Sequence, residues 1–295
     1  VTLVQRSAEA PALIEERGPV AAVDHRPLWR RAFARAALVP FVVLMPLVAL
    51  APTADHRFNL YWHGGLFRDD PLRIVPHTLH SLPGYLTLGN FRPLGRMLEK
   101  SLDLAAYTLG DWFSVPVTIP FRLVSFAAAA VLTVVAVLLA ESIVAPGRLF
   151  ARAPSTFAAT VPFAAGGGFV AAGSASPAVL FGGLYFLSAA LVLGVAAAVC
   201  RIHRPPSWWR GPLLILAGAA LACVNEIVYL ALPLATVAVF VRHRFVVKQK
   251  AAALIWLWLG FVPVFVAVRL VIRGYCAAGE CYRGSDLAVG PHAAE

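Results

Sequence analysis

The chain has 295 residues, 60% of them hydrophobic and 14% charged, with a mean hydropathy of +0.76. This composition excludes a water-soluble globular domain: long apolar stretches separated by short polar ones mark a polytopic membrane protein. The formal net charge of +10 would suggest nucleic acid in a soluble protein, but most Lys and Arg fall in the N-terminal stretch, 148–152, 201–210 and 242–250. That is the pattern of cytoplasmic loops facing anionic headgroups, and nucleic-acid binding is not expected.

Residues 1–33 are polar and Arg-rich toward the membrane (Arg26, Arg30, Arg31), which predicts a partly disordered cytoplasmic tail,. No cleavable signal peptide is expected, because the polar stretch is long and contains Glu15, Glu16 and Asp24,. Residues 34–52 are long and apolar enough to span, and the Arg cluster before them sets the direction from inside to outside,.

The loop 53–116 follows and concentrates the polar chemistry: four of the eight histidines, adjacent Asp69 and Asp70, and balanced acids and bases. Charge held beside a bilayer is costly, so this loop is the expected functional site. From Pro93, the residues Leu94, Leu98, Leu102, Ala105 and Leu109 recur at helical spacing, with Arg96, Glu99, Lys100 and Asp103 between them. An amphipathic helix lying on the membrane surface is predicted, with Pro at its favoured first position.

Further spans are expected at 117–140, 156–173 and 177–200, the last two rich in Ala and Gly, which let helix backbones approach closely in lipid,. Residues 212–241 are expected to form two short helices meeting near Asn225 and Glu226, because one long helix would put Arg242, Arg244, Lys248 and Lys250 outside,. A span at 251–273 completes an all-α polytopic bundle of about seven transmembrane helices. It leaves an extracytoplasmic tail, 274–295, in which Cys276 and Cys281 could form a disulfide,. Cys200 and Cys223 lie in apolar segments and are expected to be small buried hydrophobes,.

Several roles are open to the loop's polar residues. Asp69 and Asp70 suit a general base if partly desolvated, but Arg-Asp-Asp-Pro is also ordinary turn chemistry,. With His63, His77 and His80 they could instead hold a divalent metal, although spacing fixes no third ligand,. Arg92 and Arg96, one turn apart at a helix start, could grip a phosphate or snorkel to lipid headgroups,. Glu226 is the one acid of 212–241 and could simply mark a helix end at the outer interface. Arg122, just inside the second span, could snorkel or face the site.

Taken in order, these segments resemble the GT-C class of integral-membrane glycosyltransferases, and within it the protein O-mannosyltransferase-like branch. The resemblance rests on RDDPLRI at 68–74, NFRPLGRMLEKSLDLAAYTLGDWF at 90–113 and CVNEIVYLALP at 223–233, and it covers about residues 34–273. Where that branch often carries Lys-Glu, this chain has Asn225 before Glu226.

The resemblance implies transfer of a sugar from a polyprenyl-phosphate donor to an acceptor hydroxyl on the extracytoplasmic face, with inversion. Asp69 would be the base by analogy with the first acid of the pair, beside Asp70. Arg92, Arg96 and Arg73 would bind the donor phosphate, and His77, His80, Asn90 and Glu226 would line the site. Such enzymes usually have more spans, so a partner chain could supply further helices. The competing reading is a non-catalytic membrane protein: a lipid-linked-sugar transporter or an accessory subunit of a glycan-assembly complex.

Overall fold

In a computed structural model of the chain, the residues described are 24–145, 149–173, 183–202, 208–242, 247–277 and 281. The expected tail up to Val23, Arg148, Arg204, Arg244 and most of the segment after Ala277 lie outside them. Among the described residues the protein is all-helical, without strands. Its helices are α1 (Arg26–Leu44), α2 (Ala54–Phe67), α3 (Ile74–His80), α4 (Leu82–Thr87), α5 (Pro93–Trp112) and α6 (Thr118–Val144). They continue with α7 (Thr156–Ala172), α8 (Leu184–Cys200), α9 (Gly211–Ala222), α10 (Ala231–Arg242) and α11 (Val247–Ala277).

Three stretches are long and apolar enough to cross a membrane: Arg26–Ala49, Thr118–Val144 and Lys250–Cys276. The first begins earlier than its hydropathy suggests, because Pro27 suits the opening turn and draws the Arg cluster into the helix,. It ends as a 3-10 turn, Met45–Ala49, entered through Pro46. The four shorter apolar helices are Thr156–Ala172, Leu184–Cys200, Gly211–Ala222 and Glu226–Val241.

Helices α1 and α6–α11 pack against one another as a bundle, and polar contacts mark its two ends. At one end, Trp29 Nε1 donates to the Arg152 carbonyl at 2.9 Å, and buried Glu141 meets Arg152 at 3.5 Å and the Ser155 amide at 2.9 Å. Arg201 Nε donates to Ser142 Oγ at 2.7 Å there, and Lys250 Nζ donates to the Cys200 carbonyl. Basic residues from three separate links thus gather at one end. The opposite end carries α2–α5 as a cap. Arg122, fully buried, fixes the cap's entry by donating to the Leu50 and Ala51 carbonyls at 3.1 and 3.0 Å.

Close helix approach depends on glycine, at part of the Ala/Gly-rich stretch and more tightly at a second crossing. Gly166 packs on Val39 of α1, whereas Gly167 and Gly168 face open space. The tighter crossing joins α9 to α11. A Cβ on Gly218 would run into the Leu257 carbonyl, and one on Gly260 into the Ile215 carbonyl. Each helix presents a glycine to the other's backbone, the arrangement that van der Waals association in lipid favours.

The 212–241 segment breaks as the charge argument requires. Asn225 lies in extended backbone between α9 and a 3-10 turn, Glu226–Leu230, and is 1% exposed. Its Oδ1 accepts from the Val228 amide at 3.2 Å, and its Nδ2 donates to Ser188 Oγ at 2.5 Å. Non-helical backbone at depth is tolerable only when its polar groups are satisfied inside the protein. A lysine here could not accept the Val228 amide, so Asn225 serves the break itself. Cys276 and Cys281 are joined in a disulfide.

Candidate functional site

The cap is built on α5. Its buried face is not the leucine stripe: Leu94 and Ala105 are exposed, and Leu98, Leu102 and Leu109 are half-buried. The residues turned inward are Pro93, Gly95, Lys100, Asp103, Leu104, Ala106 and Gly110. Small residues there allow other helices to come close, and α2 crosses with Gly64 so near the Tyr107 ring that a Cβ would clash.

Two charged groups are buried with this face. Asp103 is 6% exposed, and its Oδ2 accepts from His63 Nδ1 at 2.6 Å. Burial pushes the Asp103 carboxyl up from the usual range, while the His63 hydrogen bond works against that rise,. Lys100 is 1% exposed; its Nζ donates to Thr78 Oγ1 at 3.0 Å and to His77 Nδ1 at 3.2 Å, over the Phe67 ring. Burial lowers the Lys100 pKa, and burial followed by the Lys100 charge lowers that of His77. These contacts fasten α2 and α3 to α5. A narrow cleft beside Asp103, between His56, Asn59, Glu99 and Tyr185, offers about 30 Å³, room for one or two waters but not for a sugar ring,.

The second assembly lies at the start of α5. The Leu94 amide donates to the Cys223 carbonyl at 3.0 Å, and Gly95 sits where a Cβ would strike the Val224 carbonyl. Arg92 Nη1 lies 4.0 Å from Glu226 Oε2. Arg96 Nη1 donates to Glu99 Oε2 at 2.9 Å, and its guanidinium stacks over Tyr85 at 4.9 Å. The 90–96 and 223–226 segments, far apart in sequence, therefore meet in one junction. Asn90 Oδ1, Arg92 Nε and Arg96 Nε are all buried there without a hydrogen-bond partner. Two unused guanidinium N–H donors, at the dipole-positive end of a helix, suit an anionic oxygen ligand.

Asp69 and Asp70 are elsewhere. Both are exposed, in the turn after α2, and neither carboxylate makes a hydrogen bond or ion pair with the described residues. The residue before them, Arg68, pairs with Asp111 at 2.6 Å, at the opposite end of α5 from Arg92 and about 28 Å along the helix axis,. The expected partial desolvation of the acid pair is not seen, and no contact joins it to Arg92 or Arg96. The physical reason is that α2 lies along α5, so the turn it feeds emerges beside the helix instead of over its start.

Arg73 and His80 are exposed, His77 is held by Lys100, and Asn90 and Glu226 belong to the arginine junction. Among the described residues no three His, Cys, Asp or Glu side chains converge to hold a metal ion. Lys100 and Asp103 carried no signal of burial in the sequence. His63 and Asp103 lie forty residues apart, and no local spacing links them.

Comparison with known proteins returns no matching family model, and no curated protein or solved structure matches the chain.

Proposed function

We propose that the chain is an integral-membrane glycosyltransferase of the GT-C type, crossing the membrane seven times with its N-terminus cytoplasmic and the cap extracytoplasmic. It would move a sugar from a polyprenyl-phosphate donor to an acceptor hydroxyl, with inversion. The observation that carries this reading is the arginine junction. Two segments that resemble GT-C motifs independently, 90–96 and 223–226, pack together around guanidinium N–H groups that have no protein acceptor. The gathering of basic residues at the other end of the bundle supports the orientation,.

In this reaction Arg92 and Arg96 hold the donor phosphate and stabilise the charge that builds on it as the glycosidic bond breaks. Arg73 lies on the aqueous side. Asp69, with Asp70 beside it, takes the proton from the acceptor hydroxyl. A general base must come within hydrogen-bond reach of that hydroxyl, so transfer requires the α2–α3 turn to swing toward the start of α5 when the donor is bound.

The exposed, separate acid pair favours a second reading, in which the junction binds a lipid-linked sugar for transport or for another subunit and no transfer occurs here. Turnover in proteoliposomes containing a polyprenyl-phosphate hexose separates the two. Under the transferase reading, D69N and D70N keep donor binding and lose release of polyprenyl phosphate, whereas Arg92→Gln loses binding. Unchanged release in both Asn variants would leave only the binding role.

A further inference from the structure

α2 is apolar on two opposite sides. Leu60, His63, Gly64 and Phe67 form one stripe, buried against α5 and the start of α6. Ala54, Phe58, Tyr61, Trp62 and Gly65 form another, displaced by about 150° around the helix axis at 3.6 residues per turn. That second stripe is open: Phe58 is 67% exposed, Tyr61 47% and Trp62 48%, with Phe58 and Trp62 stacked 6.0 Å apart. It lines a groove that begins at Pro52 and includes Arg57.

The groove has a fixed level in the molecule. Pro52 follows the two carbonyls that Arg122 holds, and the His56 ring meets the Phe121 ring at 6.2 Å. The groove therefore starts within a few residues of where the first long apolar helix ends, at Ala49, and the second begins, at Thr118. Trp112 and Phe113, both strongly exposed, sit just before that second helix. Rings exposed at the ends of apolar spans take the interfacial level of a bilayer, where an aromatic face and a cation fit acyl chain and phosphate together.

We propose that this groove seats an anionic phospholipid of the surrounding leaflet, its phosphate on Arg57 and its chains along Phe58, Tyr61 and Trp62. The proposal goes beyond sugar transfer and requires only that the long apolar helices lie in a bilayer. The groove starts beside the end of the first long apolar stretch, and its exposed cation matches the headgroup. A bound lipid covers the aromatic stripe and holds the cap against the membrane through α2.

The test reconstitutes the full chain in vesicles of phosphatidylglycerol brominated near the carbonyl end of its chains, and in unbrominated vesicles. The difference in emission between the native chain and W62F reports Trp62. The corresponding difference for W258F reports Trp258, which lies within the long apolar helix of α11. The Trp62 component is expected to lose most of its intensity in the brominated lipid, and Arg57→Gln to remove the preference for phosphatidylglycerol over phosphatidylcholine. A Trp62 component untouched by bromine while Trp258 is quenched would overturn the groove assignment and leave the membrane reading intact. Quenching of neither would overturn both. Quenching of Trp62 with the lipid preference intact in Arg57→Gln would overturn the phosphate contact.

Discussion

The rim and the interior of the cap use charge in opposite ways. At the rim, Asp69 and Asp70 are exposed and, among the described residues, unpaired. In the interior, Asp103 is held by His63, and Lys100 by Thr78 and His77. A carboxylate in water costs little to leave unpaired, so the rim acids remain available to a ligand. A buried charge must be hydrogen-bonded or the fold loses several kcal/mol, so the interior groups are committed to holding helices together. Function and stability should therefore separate cleanly between the two regions.

The largest effect expected is on turnover at the rim. D69N or D70N should lower transfer by about two to four orders of magnitude, as loss of a general base does. The same variants should change unfolding stability by no more than about 0.5 kcal/mol, since neither side chain is buried or paired,. Thermal unfolding in detergent beside the turnover assay checks both. In the interior the order reverses. Asp103→Ala leaves His63 buried without its carboxylate and should cost about 3–5 kcal/mol of stability,. Transfer per folded molecule should fall far less than in D69N. A stable Asp103→Ala protein would break the comparison.

The helical class was readable from sequence, and so were the helix starting at Pro93, the break at Asn225 and the Cys276–Cys281 bridge, whereas the exposure of the acid pair was not. Each rests on local chemistry: proline at a first turn, a polar pair in an apolar run, two nearby thiols. The interior was hidden for a physical reason. An apolar stripe at helical spacing normally points into a core, but on α5 Leu94 is exposed and Leu98, Leu102 and Leu109 only half-buried. The residues between the leucines, Lys100 and Asp103, are the buried ones. Nor could spacing show that the acid pair and Arg92 share no contact, because that follows from how α2 packs along α5. Gly64 against Tyr107 reveals this packing only in three dimensions.

Removing the second interior charge sharpens the comparison. Lys100→Met keeps the stem's volume and contact with Phe67 but deletes an ammonium that forms no salt bridge among the described residues. Exchange of a buried charge for an apolar side chain of similar size is often close to neutral, and a change of about 1 kcal/mol or less is expected. Asp103→Ala and Lys100→Met, only three residues apart, should thus differ severalfold in cost. Equal costs would show that the Lys100 hydrogen bonds, not the Asp103–His63 pair, fasten the cap.

The smallest effect expected is a pH dependence at His77. Its Nδ1 accepts from Lys100, so the neutral ring is the form that fits,. Burial first, then the charges of Lys100, His63, Arg73 and His80, hold its pKa below the ordinary histidine value. A group with a depressed folded pKa contributes stability above its unfolded value and loses it as pH falls through the folded one. Lowering the pH from 7 toward 5 should therefore weaken the α3–α5 contact in the native chain. In His77→Asn, which keeps an acceptor but does not titrate, that loss should be absent. Asp103, with its raised pKa, contributes in the opposite sense in both proteins, being most favourable at low pH, and it cancels in the difference,. The half-exposed position of His77 keeps the difference below about 1 kcal/mol, a shift of roughly two or three degrees in unfolding midpoint for a chain of this size,. A native chain that gains stability relative to His77→Asn on acidification would mean that Lys100 is the neutral partner and that the ring, on taking up a proton, donates to it.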